Sequence, residues 1–144
     1  DDLARFFRMH LACVDGMAVH SADHRLRDMI TALRSALVAL GCADRPAPVA
    51  LAPVHPLAVD YILAGSRMGT KVLRKRWARS DNPLVQAACN YFSLDSTPGE
   101  WADTCARLNT VQTTSVAADQ IVRDSRMIFE RFVTSFHRAS ATVG

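Results

Sequence analysis

Residues 60 to 77 read Asp60-Tyr-Ile-Leu-Ala-Gly-Ser-Arg-Met-Gly-Thr-Lys-Val-Leu-Arg-Lys-Arg-Trp77. Tyr61, Ile62, Met68, Val72 and Leu73 recur at helical spacing, and the pattern predicts a helix from near Pro56 to about Arg79. Inside it stand Gly65 and Gly69, each costing about 1 kcal/mol against Ala at such a position. Residues four apart share a helix face, so the pair bares a strip of backbone about one turn long. Three readings account for it. One is close packing of a second helix; its membrane form is excluded by Arg67, Lys71, Arg74, Lys75 and Arg76. A second is a phosphate loop, which fails because only three residues separate the glycines, Thr70 precedes Lys71, and no strand leads in. The third is a flat, rigid ligand lying against bare backbone, with the glycines also letting the helix bend over it.

The flanking sequence is helical on both sides. Leu3, Phe6, Phe7, His10/Leu11, Val14 and Met17 mark an amphipathic helix from Asp2 to about Val19. Ser21 or Asp23 can cap a second, with a core stripe of Leu26, Met29, Ile30, Leu33, Leu37 and Leu40 ended by Gly41. Pro46, Pro48, Pro53 and Pro56 then forbid a continuous helix and predict an extended surface connection. Asn82-Pro83 reads as a cap followed by Pro in the first turn of a short helix through Leu84, Val85, Ala88 and Cys89. Thr97-Pro98 repeats that signal ahead of Trp101, Cys105 and Leu108. The last helix starts around Thr113 or Thr114 and runs for about six turns. Ala117, Ile121, Ser125, Ile128, Phe132 and Phe136 form its main face, and Val122, Phe129 and Val133 widen it. No alternating strand pattern or internal repeat occurs, so the expected architecture is a single-domain all-α bundle of five to seven helices spanning residues 1–144.

Composition agrees. A chain of 144 residues with 49% apolar and 22% charged residues has the size of one domain and enough core to need neither disulfides nor a structural metal. Its net charge of +3 permits an anionic partner, but a dedicated nucleic-acid binder carries stronger and more segregated charge, so none is expected. Cys13, Cys42, Cys89 and Cys105 lack zinc-ligand spacing and read as small buried residues of a reducing compartment. No apolar run approaches the ~20 residues of a membrane span and Asp1-Asp2 does not resemble a signal peptide, so the expected setting is cytoplasmic.

The stretch from Tyr61 to Leu73 resembles the distal-helix signature of haem oxygenases, most closely the bacterial, biliverdin-producing type associated with bacteriophytochromes. Tyr61, Gly65, Ser66, Gly69 and Leu73 fall on its pattern. Phe6-Phe7-Arg-Met-His-Leu-Ala12 is similar to the helix that follows the family's haem-ligating one, and Met127-Ile-Phe-Glu-Arg-Phe132 to its last helix. The resemblance implies a haem oxygenase-like bundle with a kinked, glycine-containing distal helix. Haem would be both substrate and cofactor, opened by O2 and electrons from a separate donor, such as a ferredoxin or a reductase, to biliverdin, carbon monoxide and ferrous iron. It further implies a bacteriophytochrome as an associated partner.

On the same resemblance Gly65, Ser66 and Gly69 are the catalytic candidates: the glycines would crowd the bound oxygen toward the ring edge, and the Ser66 hydroxyl would orient a proton-donating water. Tyr61, Gly65, Gly69, Arg67, Lys71 and Arg107 are the haem-binding candidates, the three cations toward the propionates. The chain departs from the family pattern at Ala64 and Thr70. Nothing ahead of Phe6 matches the family's Leu-Arg-x-x-Thr-x-x-x-His segment, so the expectation is a domain lacking its N-terminal, iron-ligating helix. No iron ligand is assigned to His10, His20, His24, His55 or His137, and no other metal is expected. The competing expectation is a non-catalytic helical module of the same fold.

Overall fold

The computed structural model describes residues 2–42, 44–94 and 98–141, and among them every regular element is helical. The order is α1 (Asp2–Ala18), α2 (His24–Ala39), α3 (Pro56–Trp77), α4 (Pro83–Ala88), a 3-10 turn (Cys89–Ser93), α5 (Glu100–Asn109) and α6 (Val116–Ala141). This is the all-α bundle that the periodicity predicts, with six α-helices among the described residues.

The helix ends follow local chemistry. Asp23 caps α2, accepting from the Arg25 N–H at 2.9 Å. Gly41 closes it at φ +77°, a value that favours glycine, while Cys42 N–H reaches back to the Leu37 carbonyl at 2.8 Å. His55 caps α3 through Nδ1, which accepts from the Leu57 N–H at 3.1 Å, with Pro56 in the first turn. Asn82 caps α4 the same way, accepting from the Leu84 N–H at 3.0 Å. Two starts differ from expectation. α5 begins at Glu100, after Gly99 in the left-handed region at φ +77°, because that backbone reversal precedes the first helical residue; Thr97 lies outside the described residues. α6 begins at Val116, later than Thr113 or Thr114, because Ser115 supplies the cap by accepting from the Ala118 N–H at 3.1 Å.

α1 sits between α2 and α6, and α3 packs on α5, α6 and the 3-10 turn. Phe7, Leu11, Leu26, Leu33, Leu37, Leu63 and Ile128 are fully buried where these elements meet, each contributing roughly 1.5–3 kcal/mol relative to exposure. Tyr91 and Phe92 on the 3-10 turn complete this core, their rings 5.9 and 5.4 Å from Phe7.

The proline-rich connection is extended, as expected, and tied down along its length. Arg45 makes a two-pronged bond to the buried Asp15 carboxylate at 2.9 and 3.2 Å, and Val49 N–H donates to the Ala12 carbonyl at 2.9 Å. His20 Nε2 donates to the Leu51 carbonyl at 2.7 Å, and His55 N–H to Asp124 at 2.7 Å. Three of the cysteines, Cys13, Cys42 and Cys105, are free thiols; the Cys89 side chain lies outside the described residues. Burial pushes the Cys13 thiol up to about 11, which removes it from thiolate chemistry at neutral pH. No described helix is long and apolar enough to cross a membrane.

Candidate functional site

α3 runs as one helix through Gly65 and Gly69. Because 3.6 residues make a turn, Tyr61, Ile62, Gly65 and Ser66 share a face. That face lines a cavity of about 340 Å³, closed by His10 of α1, Trp101 of α5, and Phe129 and Phe132 of α6. The walls are aromatic contacts. Tyr61 lies 5.7 Å from Trp101 and 6.4 Å edge-to-face from Phe129, centroid to centroid. His10 lies 5.3 Å from Phe132.

The cavity shares Tyr61 and Phe129 with a larger, more open groove of about 870 Å³ between α3, α5 and α6, floored by Leu108, Ile121 and Val133. Its apolar surface explains the wide stripe on α6: Ile121 and Ile128 are buried, but Val122, Phe129 and Val133 are 58%, 52% and 58% exposed. A cavity of ~300–1,000 Å³ is the size that takes a cofactor-sized ligand. Arg126 and Glu130 are the charged residues on the groove, and Tyr61, Ser125 and Thr134 carry its hydroxyls.

The other sequence candidates lie elsewhere. Arg67 and Lys71 line a separate pocket of about 360 Å³ with Met68 and the start of α5, and Trp101 forms the wall between the two spaces. Gly69 is exposed, and a Cβ there would meet nothing within 4 Å. At Gly65 a Cβ would lie 3.6 Å from Trp101 Cζ3, an ordinary contact. Among the described residues, therefore, no helix backbone presses on either glycine. Arg107 donates to Asp60 at 2.8 Å and joins an ion-pair network with Arg25, Asp23 and Glu100.

His10 brings an imidazole to the cavity wall, and Tyr91 packs against it without lining the cavity. His10 Nδ1 stands 2.8 Å from the Phe6 carbonyl, and burial holds its pKa down at about 4. Tyr91, 6.0 Å from His10 ring to ring, is almost wholly buried, and burial pushes its phenol up to about 12 against the opposing pull of the Ser66 hydroxyl and the Arg67 charge. Its hydroxyl has no hydrogen-bond partner of good geometry.

Trp101, Phe132 and His10 had no site role in the sequence reading. For α6 a signal existed, since its apolar arc is wider than one neighbouring helix can cover; for Trp101 and His10 the side of α5 and α1 that they take is set by tertiary packing. No three His, Cys, Asp or Glu side chains form a metal-holding group among the described residues. The architecture and site together define an all-α bundle with an aromatic cavity beside an apolar groove. Comparison with protein-family models, curated proteins and solved structures returns no match.

Proposed function

We propose that the chain is a haem oxygenase of the bacterial, biliverdin-producing type. The reading starts from the Tyr61–Leu73 signature, and one observation supports it above others: Tyr61, Gly65 and Ser66 line a single aromatic-walled cavity that shares Tyr61 and Phe129 with an adjoining apolar groove. Such walls suit the faces of a flat macrocycle, and the missing side chain at Gly65 admits a ligand to the helix backbone. The aromatic and apolar lining is what supports haem as the ligand at this face. Tyr61, Gly65 and Phe129 would hold it, with Arg126 the cation at hand on the groove. Haem supplies the redox-active iron and the ring that O2 opens. The protein's part would be to hold the ring against the Gly65 face of α3, exclude bulk water with Trp101 and Phe132, and orient a water through the Ser66 hydroxyl. Electrons would come from a separate donor such as a ferredoxin or reductase, and a bacteriophytochrome would take the biliverdin.

Adding haem to the purified protein is expected to give a Soret band, and adding a reductant in air to give biliverdin and carbon monoxide. Failure to bind haem sinks the proposal. A second reading, a non-catalytic module that holds an apolar ligand, draws on the placement of Arg67, Lys71 and Arg107 away from the cavity, which removes all three expected propionate partners. Haem or another apolar ligand bound without turnover would favour it.

A further inference from the structure

Beside its apolar stripe α6 carries a polar one. Arg131, Thr134, Ser135 and Arg138 stand at i, i+3, i+4 and i+7, on one face of the helix. That face lines a pocket of about 630 Å³ whose other walls are Arg8 and Met9 of α1 and residues 46–50 of the proline-rich connection. The pocket shares no residue with the aromatic cavity and meets the apolar groove only at Thr134. Three guanidinium groups line it and no carboxylate does. Arg138 lies in the last turn of α6, where a cation complements the helix dipole; Arg131 stands two turns earlier and gains nothing from it. Arg131 is exposed and forms no ion pair among the described residues. The pocket is also formed in advance of any ligand. Gly16 lets the Val49 backbone lie against α1, and the Val49–Ala12 hydrogen bond at 2.9 Å and the Arg45–Asp15 pair at 2.9 Å fix the connection there. Pro46 and Pro48 have a fixed φ and no N–H, so this wall is stiff and offers apolar ring surface. Asp44 holds Arg8 Nη2 at 2.7 Å. Ser135 Oγ accepts from Cys13 Sγ at 3.6 Å, which leaves the Ser135 hydrogen to donate outward.

We propose that this pocket binds an organic phosphate ester. Arg131, Arg138 and the Ser135 hydroxyl donate to the phosphate oxygens, and the organic group lies against Met9 and the two prolines. The planar fork of a guanidinium matches phosphate geometry and makes charge-assisted hydrogen bonds. Donors on one wall and apolar rings on the other call for a ligand with both characters, and the volume is that of a cofactor-sized molecule, well beyond a bare phosphate ion. The net charge of +3 permits such a partner. The site goes beyond the haem oxygenase reading and does not depend on it.

The test is calorimetric titration of the full chain with phenyl phosphate, inorganic phosphate and phenol. Phenyl phosphate is expected to bind saturably, inorganic phosphate about tenfold more weakly, and phenol without measurable heat. No saturable binding of phenyl phosphate up to about 10 mM overturns the proposal. Inorganic phosphate or phenol binding as tightly as phenyl phosphate overturns it as well, since one wall would then be idle. Arg131→Gln with Arg138→Gln is expected to raise the Kd of phenyl phosphate at least about tenfold, and Ser135→Ala about fivefold. Lys75→Gln with Arg79→Gln removes the same charge from the exposed end of α3 and is expected to leave Kd within about twofold. An equal loss in both double variants marks a general effect of charge and overturns the pocket, as does wild-type affinity in the α6 double variant. Both α6 arginines are exposed, so their replacement leaves the core intact, and the three wild-type titrations decide the matter on their own. Haem enters no arm of the experiment, so its outcome is independent of the proposed activity.

Discussion

Three helix-interior glycines meet three different surroundings, and substitution separates their roles. At Gly16 a Cβ would stand 2.3 Å from the Val49 carbonyl oxygen. That carbonyl is backbone, held against α1 by the Val49–Ala12 hydrogen bond, so it cannot swing aside as a side chain would. Gly16→Ala is expected to cost about 1–3 kcal/mol despite Ala's better helix propensity, read as a lower urea midpoint at unchanged slope. Gly69 faces open space, so Gly69→Ala should gain about 0.5–1 kcal/mol. Gly65→Ala should leave the ligand-free protein no less stable, since its Cβ meets Trp101 at an ordinary 3.6 Å, yet weaken haem binding if the cavity is the haem site. A stable Gly16→Ala protein would contradict the packing described. His10 gives a pH signature. Its folded pKa of about 4 lies below the ordinary 6.5, so between those values the unfolded chain binds a proton that the folded chain does not. Stability is therefore complete above about pH 6.5 and falls as pH drops toward 4, by on the order of 2–3 kcal/mol. His10→Gln should remove that slope in urea unfolding at pH 7 and pH 4.5.

Between elements, the ends of α2, α3 and α5 are joined through Arg25, whose side chain is 18% exposed and pairs with Asp23, Asp60 and Glu100. Desolvation opposes this arrangement, but three carboxylates outweigh it and hold the guanidinium pKa above its ordinary value. Arg25→Met leaves Asp23 and Glu100 without the Arg25 charge and Asp60 with Arg107 alone, and is expected to cost roughly 2–3 kcal/mol, below the fully buried case because water still reaches the site. Arg107→Ala, exposed and bonded to Asp60 alone, should cost less than about 1 kcal/mol. The Asp23 carboxyl is held below its ordinary 3.8, first by the Arg25 side chain; that contribution is present above about pH 4 and lost as pH falls through the lowered folded value. Arg25→Met should flatten this acid limb in thermal melts from pH 5 to 2, and an unchanged limb would refute the assignment. None of this network could be read from sequence, since Arg25, Asp60 and Glu100 are far apart in the chain and look like solvated charges. The helices could be: their apolar stripes and the caps Asp23 and Asn82 are local signals. Where local chemistry was ambiguous the ends shifted, as at Gly99, whose left-handed turn displaced the start expected after Thr97-Pro98.

For the whole molecule, the site was legible where one helix carried it and illegible where packing divided it. Tyr61, Gly65 and Ser66 share a face by periodicity alone, and they do line one cavity. Arg67 and Lys71 belong to the same stretch, but the helix turns them to the far side of Trp101, a wall supplied by α5. The stripe on α6 has the converse character: its width was visible, and the fold leaves Val122, Phe129 and Val133 uncovered along the groove. Being exposed, these side chains contribute little to the ligand-free fold. Phe129→Ser with Val133→Ser is therefore expected to leave the ligand-free stability within the ~0.5 kcal/mol scatter of surface changes. A ligand that binds only the folded chain adds RT ln(1 + [L]/Kd), about 2.7 kcal/mol at a hundredfold excess over Kd, which for a chain of this size raises Tm by roughly 5–10 °C. Haem at that excess should produce the rise in the wild-type protein, and the double variant should lose most of it while its Soret band weakens in parallel. A rise of equal size in both would move the ligand out of this groove and toward the Arg67–Lys71 pocket on the other side of Trp101, where Lys71→Ala would then have to abolish it.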